Sequence, residues 1–228
     1  PWRSVYHPRV LSKMLSPQDM LAWTVQRFKY AAGTLDIAAH DNPVVRYNLS
    51  FLQRVMYGAT IWSYLACLWN WVFIASPAIY LFTAIPPVSA FSLDFFKHFL
   101  PFVLAYELAL LIGTWGVPNA KGRAFFLSFF PYGLRAVATV LRGKPIRFPV
   151  TPKQRQSGRF LRIVRWQIGC IVILAAGILW ASTEMFVLGT REDPAGYAVN
   201  VLWGLYTIWL LSAIVRAATW RGETEANT

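Results

Sequence analysis

Gln26, Lys29 and Tyr30 fall within the run Gln26-Arg27-Phe28-Lys29-Tyr30. On a helix these spacings bring the three to one side, because residues three and four apart are surface neighbours. An amide, a cation and an aromatic ring presented together suit a sugar phosphate. The cation meets the phosphate, the amide bonds hydroxyls, and the ring covers an apolar sugar face. A plain amphipathic helix with a snorkelling Lys and Tyr fits the same pattern. A second group is Phe148-Pro149-Val150-Thr151-Pro152-Lys153. Its prolines stiffen a loop in which a hydroxyl and a cation stand two residues apart. Such a loop can carry donors to a diphosphate and withdraw again; a basic linker at a membrane surface has the same composition. Glu107 lies inside an apolar run, where an ionised acid is costly. It either binds hydroxyls along a sugar path or is satisfied by a neighbouring helix. Trp62, Trp69, Trp71, Trp115 and Trp180 can stack on sugars or sit in interfacial belts.

The elements that carry these groups follow from hydrophobic patterning. Ser16, Pro17 and Asp19 predict a helix start, with Ser16 at the N-cap and Pro17 at the first helical position. The helix should run to about Ala39, with Leu21, Val25, Phe28, Ala32 and Leu35 as its apolar stripe. Its polar centre suits a helix lying at a membrane surface. A bilayer core needs about 20 apolar residues of helix. Four windows qualify, at residues 55–82, 96–117, 163–188 and 197–218, with a kink expected at Pro77. A fifth, 124–141, is apolar but carries Pro131, Gly133 and Arg135 at its centre.

Charge decides the fifth window. Of 228 residues 56% are hydrophobic and 14% charged, yet the net charge is +12. The stretch 121–165 is rich in Lys and Arg and has no acid. If 124–141 crossed the membrane, most of those cations would lie outside, against the positive-inside rule. It is therefore expected as a second interfacial helix, with Arg135 snorkelling and the whole stretch cytoplasmic. Glu184 reads as an interfacial acid near the outer end of the third span. The fold expected is all-α and integral to the membrane, with four transmembrane helices, two amphipathic interfacial helices and a cytoplasmic loop. Its parts are 1–15, the remnant of a preceding domain; 16–40, the first interfacial helix; 41–120, one transmembrane pair; 121–162, the second interfacial helix and the loop; 163–218, the second pair; and 219–228, a tail. Nucleic acid is excluded as a partner, because the basic residues alternate with long apolar runs. Cys67 and Cys170 read as small buried hydrophobes, and His7, His40 and His98 lack metal-ligand spacing.

Trp2-x-Ser4-x-Tyr6, Leu15-Ser16-Pro17 and Gln26–Tyr30 followed by Ala32-Gly33 resemble the segment closing the catalytic domain of family-2 processive glycosyltransferases, bacterial cellulose synthase catalytic subunits above all. Gln26, Lys29 and Tyr30 fall on that family's Q-x-x-R-W motif. Phe148, Val150, Thr151 and Lys153 match its F-x-V-T-x-K gating loop. Lys29 stands for the family's Arg and loses planar bidentate recognition; Tyr30 stands for Trp. The resemblance implies transfer of sugar from a nucleotide sugar, uridine diphosphate glucose, to a growing polysaccharide exported through the spans of the bacterial inner membrane. It implies that Gln26, Lys29 and Tyr30 hold donor and acceptor, that Thr151 and Lys153 close over the diphosphate, and that Phe148 and Val150 anchor the loop. It places the aspartates that hold a divalent metal (Mg or Mn) and the general base in a missing N-terminal part, so the fragment itself is expected to hold no metal and to be inactive. A non-processive lipid glycosyltransferase and a non-catalytic membrane scaffold or channel subunit are the alternatives. An export subunit is not identifiable from the residues.

Overall fold

The computed structural model describes residues 5, 7–13, 16–17, 19–46, 48–86, 93–117, 120–146 and 160–219. Among them the regular structure is entirely helical: α1 (Met20–His40), α2 (Phe51–Thr83), α3 (Leu93–Gly113), α4 (Ala120–Ser128), α5 (Phe130–Leu141), α6 (Arg165–Thr183), continued by a π-helical turn (Glu184–Leu188), and α7 (Pro194–Thr219). Residues 7–13 have no strand or helix.

The first helix starts later than its sequence predicts. Asp19, and not Ser16, is the N-cap; its carboxylate accepts from the Ala22 N–H at 2.7 Å. An Asp at this position satisfies an orphan donor and also meets the positive helix end, so the aspartate takes the role assigned to the serine. α2 opens on a capping box. Ser50 Oγ accepts from the Gln53 N–H, and the Gln53 side chain accepts from the Ser50 N–H. The helix runs unbroken past Pro77 to Thr83 and ends on Ala84 in the left-handed region.

Among the described residues three helices are long and apolar enough to cross a bilayer: Phe51–Thr83, Arg165–Leu188 and Pro194–Thr219. The apolar part of α3, Leu100–Gly113, is shorter. The window at 124–141 is not one helix. It breaks at Phe129 into α4 and α5, which meet at 44° and together could also count as a broken span. The break has a physical cause. Pro131 cannot donate a backbone hydrogen bond and suits the first turn of a new helix, which is where it sits in α5. Neighbouring side chains take up the carbonyls at the break: Gln167 Nε2 donates to the Ser128 oxygen at 2.7 Å, and Asn70 Nδ2 donates to the Phe126 oxygen at 3.2 Å.

α2 is the spine. α6 and α7 pack along its second half, around a core of Cys67, Ile74, Leu127, Phe130, Leu210 and Leu211. α1 and α5 pack on each other and on α2 around Tyr64 and Leu65, with Ala31, Ala32, Leu35 and Ala136 buried between them. The relative heights follow from one contact. Gly177 of α6 abuts Leu81 of α2, and α6 begins twelve residues before Gly177, at Arg165. The same distance back along α2 from Leu81 reaches Trp69. The part of α2 before Trp69 therefore continues past the start of α6, and α1 packs beside it. At 1.5 Å per residue the 33 residues of α2 span about 50 Å, well beyond a hydrocarbon core of about 30 Å. α3 makes no extended packing interface with another helix among the described residues. It is tied to α4 by an ion pair, Glu107 Oε1 to Arg123 Nη1 at 2.6 Å.

Candidate functional site: a basic cleft between α1 and α5

α5 can lie close to α2 because of Gly133. A Cβ there would sit 2.5 Å from the Cβ of Cys67 and 3.0 Å from its sulfur. With α5 seated so closely, its next turns face α1. Phe28 of α1 lies under the Arg135 guanidinium, 5.2 Å from ring centroid to carbon, a cation–π approach. Tyr132 donates to the Ile163 carbonyl and ties α5 to the chain just before α6.

Between the two helices is a cleft of about 510 Å³, whose walls include Lys29, Arg135, Arg142 and Lys144 as cations and Val25, Phe28, Ala138, Pro145 and Ile146 as apolar surface. No carboxylate is among its described lining residues. The hydroxyls on its walls are turned to backbone: Thr24 Oγ1 donates to the Met20 oxygen and Thr139 Oγ1 to the Arg135 oxygen, both at 2.7 Å. A second cleft, of about 770 Å³, shares Thr24, Val25, Tyr132 and Arg135 with the first and adds Arg162, Arg165, Trp71 and Trp166. The Arg165 guanidinium lies 5.4 Å from the Trp166 ring centroid.

The residues singled out on α1 do not all share one environment. Lys29 lines the basic cleft. Gln26 and Tyr30, four apart, share the adjoining strip, with Tyr30 half exposed; Lys29 is turned from Gln26 by about 60° around the helix axis. Phe148, Val150, Thr151 and Lys153 lie outside the described residues, as do Trp2, Ser4, Tyr6 and Leu15. The chain leading to that loop is described as far as Ile146, and Ile146 lines the same cleft as Lys29. Glu107 pairs with Arg123 of α4 at 2.6 Å. Glu184 pairs at 2.7 Å with the buried guanidinium of Arg191. Cys67 is buried and Cys170 packs against the same core, both as free thiols. Trp62, Trp69, Trp71, Trp115 and Trp180 are all exposed on this helix set, and Trp71 stacks on Phe130. Arg142 and Lys144 were visible in the sequence only as part of a long basic stretch. Arg135 and Arg142 are seven apart, two helical turns on one face, which is the signal that would have singled them out.

Among the described residues no three His, Cys, Asp or Glu side chains gather as a metal site. The cleft offers cations where a divalent metal needs carboxylate oxygens, so its residues do not fit such an ion.

A multi-pass helical membrane protein with a basic, aromatic-flanked cleft against its first helix is the class these features define. Among known proteins the chain is homologous to cellulose synthases. It is 25% identical over 231 residues to "Cellulose synthase 2" of Novacetimonas hansenii, covering 94% of this chain and 14% of that protein. It is 23% identical over 231 residues to "Cellulose synthase catalytic subunit [UDP-forming]" of Komagataeibacter sucrofermentans, covering 94% of this chain and 29% of that protein. To "Cellulose synthase 1 catalytic subunit [UDP-forming]" of Komagataeibacter xylinus it is 24% identical over 226 residues, covering 94% and 30%. The chain thus spans less than a third of the length of these relatives. No family model matches it.

Proposed function

We propose that this chain is the membrane part, from the C-terminal region, of a processive family-2 β-glycosyltransferase of the bacterial inner membrane. The enzyme would transfer sugar from a nucleotide sugar, uridine diphosphate glucose, to a growing polysaccharide that leaves through the spans. The names of the relatives and the coverage of less than a third of their length support this reading. The observation that carries it is the shared wall of Lys29 and Ile146. Thr151 follows Ile146 by five residues, and five extended residues reach at most about 17 Å. The hydroxyl and ammonium of the loop can therefore meet the motif helix without rearrangement of the bundle.

In this reading α2, α3, α6 and α7 cross the bilayer, while α1 and α5 lie at its cytoplasmic surface beside the projecting half of α2. The lysine- and arginine-rich region then faces the cytoplasm, as the positive-inside rule favours. Gln26 and Tyr30 engage the acceptor sugar, Tyr30 by ring contact. Lys29, Thr151 and Lys153 attend the donor diphosphate, and Lys153 offsets charge developing on the leaving group. Phe148 and Val150 anchor the loop. Metal-holding carboxylates and the general base belong to the catalytic part of the longer enzyme.

The test is made on the full-length protein in its own membranes. With Thr151→Cys in a background of Cys67→Ala and Cys170→Ala, a membrane-impermeant maleimide applied from outside intact cells should leave position 151 unlabelled, and label it after the membrane is opened. Labelling from outside would separate the loop from a cytoplasmic nucleotide sugar and end the proposal. Polymer made from labelled donor distinguishes a processive enzyme from one that adds a single sugar to lipid.

A further inference from the structure

The cleft between α1 and α5 has more cations than one donor diphosphate requires. Besides Lys29, its walls carry Arg135, Arg142 and Lys144, with no acid among the described lining residues. The hydroxyls that line it donate to backbone carbonyls of Met20, Arg135 and Ile163. Beside these inward-turned hydroxyls the described walls offer positive charge over an apolar floor of Val25, Phe28, Ala138, Pro145 and Ile146. That combination selects a phosphate joined directly to an apolar body. Arg142 and Lys144 are exposed at the mouth, next to Pro145. The adjoining cleft continues the pattern with Arg162, Arg165 and Trp166 at the start of α6, a long apolar helix of span length.

We infer that this cleft is also a binding site for an anionic phospholipid, with the headgroup phosphate held between Arg135, Arg142 and Lys144, away from Lys29, and the start of the acyl chains lying on Val25, Phe28 and Ile146. A juxtamembrane cation attracts anionic lipid through the surface potential and through direct phosphate contact. Because Ile146 is part of the wall, an occupied cleft also fixes the segment that leads into residues 148–153. The site is separate from the strip carrying Gln26 and Tyr30, and its test needs no sugar transfer.

The experiment uses the purified full-length protein in phosphatidylcholine nanodiscs containing phosphatidylglycerol, with retained lipid counted by native mass spectrometry. The double variant Arg142→Gln/Lys144→Gln should lose phosphatidylglycerol retention on the order of tenfold to thirtyfold, since two surface cations are removed. Arg9→Gln/Lys13→Gln removes equal charge from exposed residues outside the cleft and should retain the lipid. Equal loss in both variants would reduce the effect to net charge and overturn the site. Displacement of the lipid by inorganic phosphate or by uridine diphosphate at equal concentration would assign the cleft to a free phosphate and also overturn it. Monodisperse elution of both variants guards against misfolding, and Arg142→Lys, which keeps the cation, should restore most of the retention. A negative result here leaves the glycosyltransferase reading in place, which stands on the topology of the loop.

Discussion

Arg191 Nη2 lies 2.7 Å from Glu184 Oε2, with the arginine side chain only 3% exposed. The same guanidinium donates to the carbonyls of Tyr80 and Leu81 at 3.3 and 2.9 Å and lies 5.2 Å from the Tyr80 ring centroid. Those carbonyls belong to the last turn of α2, where a helix runs short of backbone donors; the Tyr80 oxygen also accepts from the Ala84 N–H. Beside it, the Tyr80 hydroxyl donates to Asp193, whose other oxygen accepts from the Gly196 N–H at the start of α7. One arginine thus joins the end of α2 to the connection between α6 and α7.

Removing that arginine should be among the most damaging changes in the bundle. Arg191→Met leaves Glu184 without its cation and removes the side-chain donor to the Leu81 carbonyl at the end of α2. Breaking one side of a buried pair costs about 3–5 kcal/mol. A lower thermal midpoint in detergent is expected, read by loss of the monodisperse peak on heating. Glu184→Gln in the same background should recover part of the loss, because the uncompensated charge is gone. A wild-type midpoint for Arg191→Met would show that the pair carries no stability.

Gly133 sets how closely α5 approaches α2. Gly133→Ala places a methyl group against Cys67, where the close approach leaves no room, and overpacking of this kind costs about 1–3 kcal/mol. Cys67→Gly should relieve the clash while itself costing about 1 kcal/mol as a helix-interior glycine. The double variant is therefore expected to be more stable than Gly133→Ala alone, which a thermal melt of the three proteins would check.

The ion pair between Glu107 and Arg123 links α3 to the rest of the bundle. Glu107→Arg alone sets two cations together beside apolar surface and should weaken the docking of α3. The exchange Glu107→Arg with Arg123→Glu restores opposite charges and should restore docking. Thermal melts in detergent give a readout; equal midpoints for the single and double variants would show that the pair does not hold α3.

Under the proposed function, Lys153→Ala in the full-length synthase should raise the donor KM and lower turnover by roughly a hundredfold to a thousandfold, the scale of losing one group that stabilises charge developing in the transition state. Tyr30→Ala should shorten or abolish polymer with less effect on donor binding. Lys29→Arg, which regains planar recognition of phosphate, should lower the donor KM. Initial rates with labelled uridine diphosphate glucose in isolated membranes test all three.

Apolar runs of span length made the helical, membrane-spanning character of this chain legible, because a bilayer demands backbone groups satisfied within each apolar segment. The motif helix and its end near Ala39 were legible for the same reason, as periodicity is local. The break at Phe129 was hinted at by Pro131, but that Gln167 and Asn70 would cap it depends on side chains 39 and 56 residues away in the chain. The choice of Asp19 over Ser16 as N-cap turned on which of two capable residues the folded helix reached first. The pairing of Arg191 with Glu184, and of Arg123 with Glu107, joins separate elements whose distance no spacing rule encodes. The basic cleft is of this kind too: Lys29 and Lys144 became neighbours only because Gly133 lets α5 sit close enough to α2 for α1 to close over both.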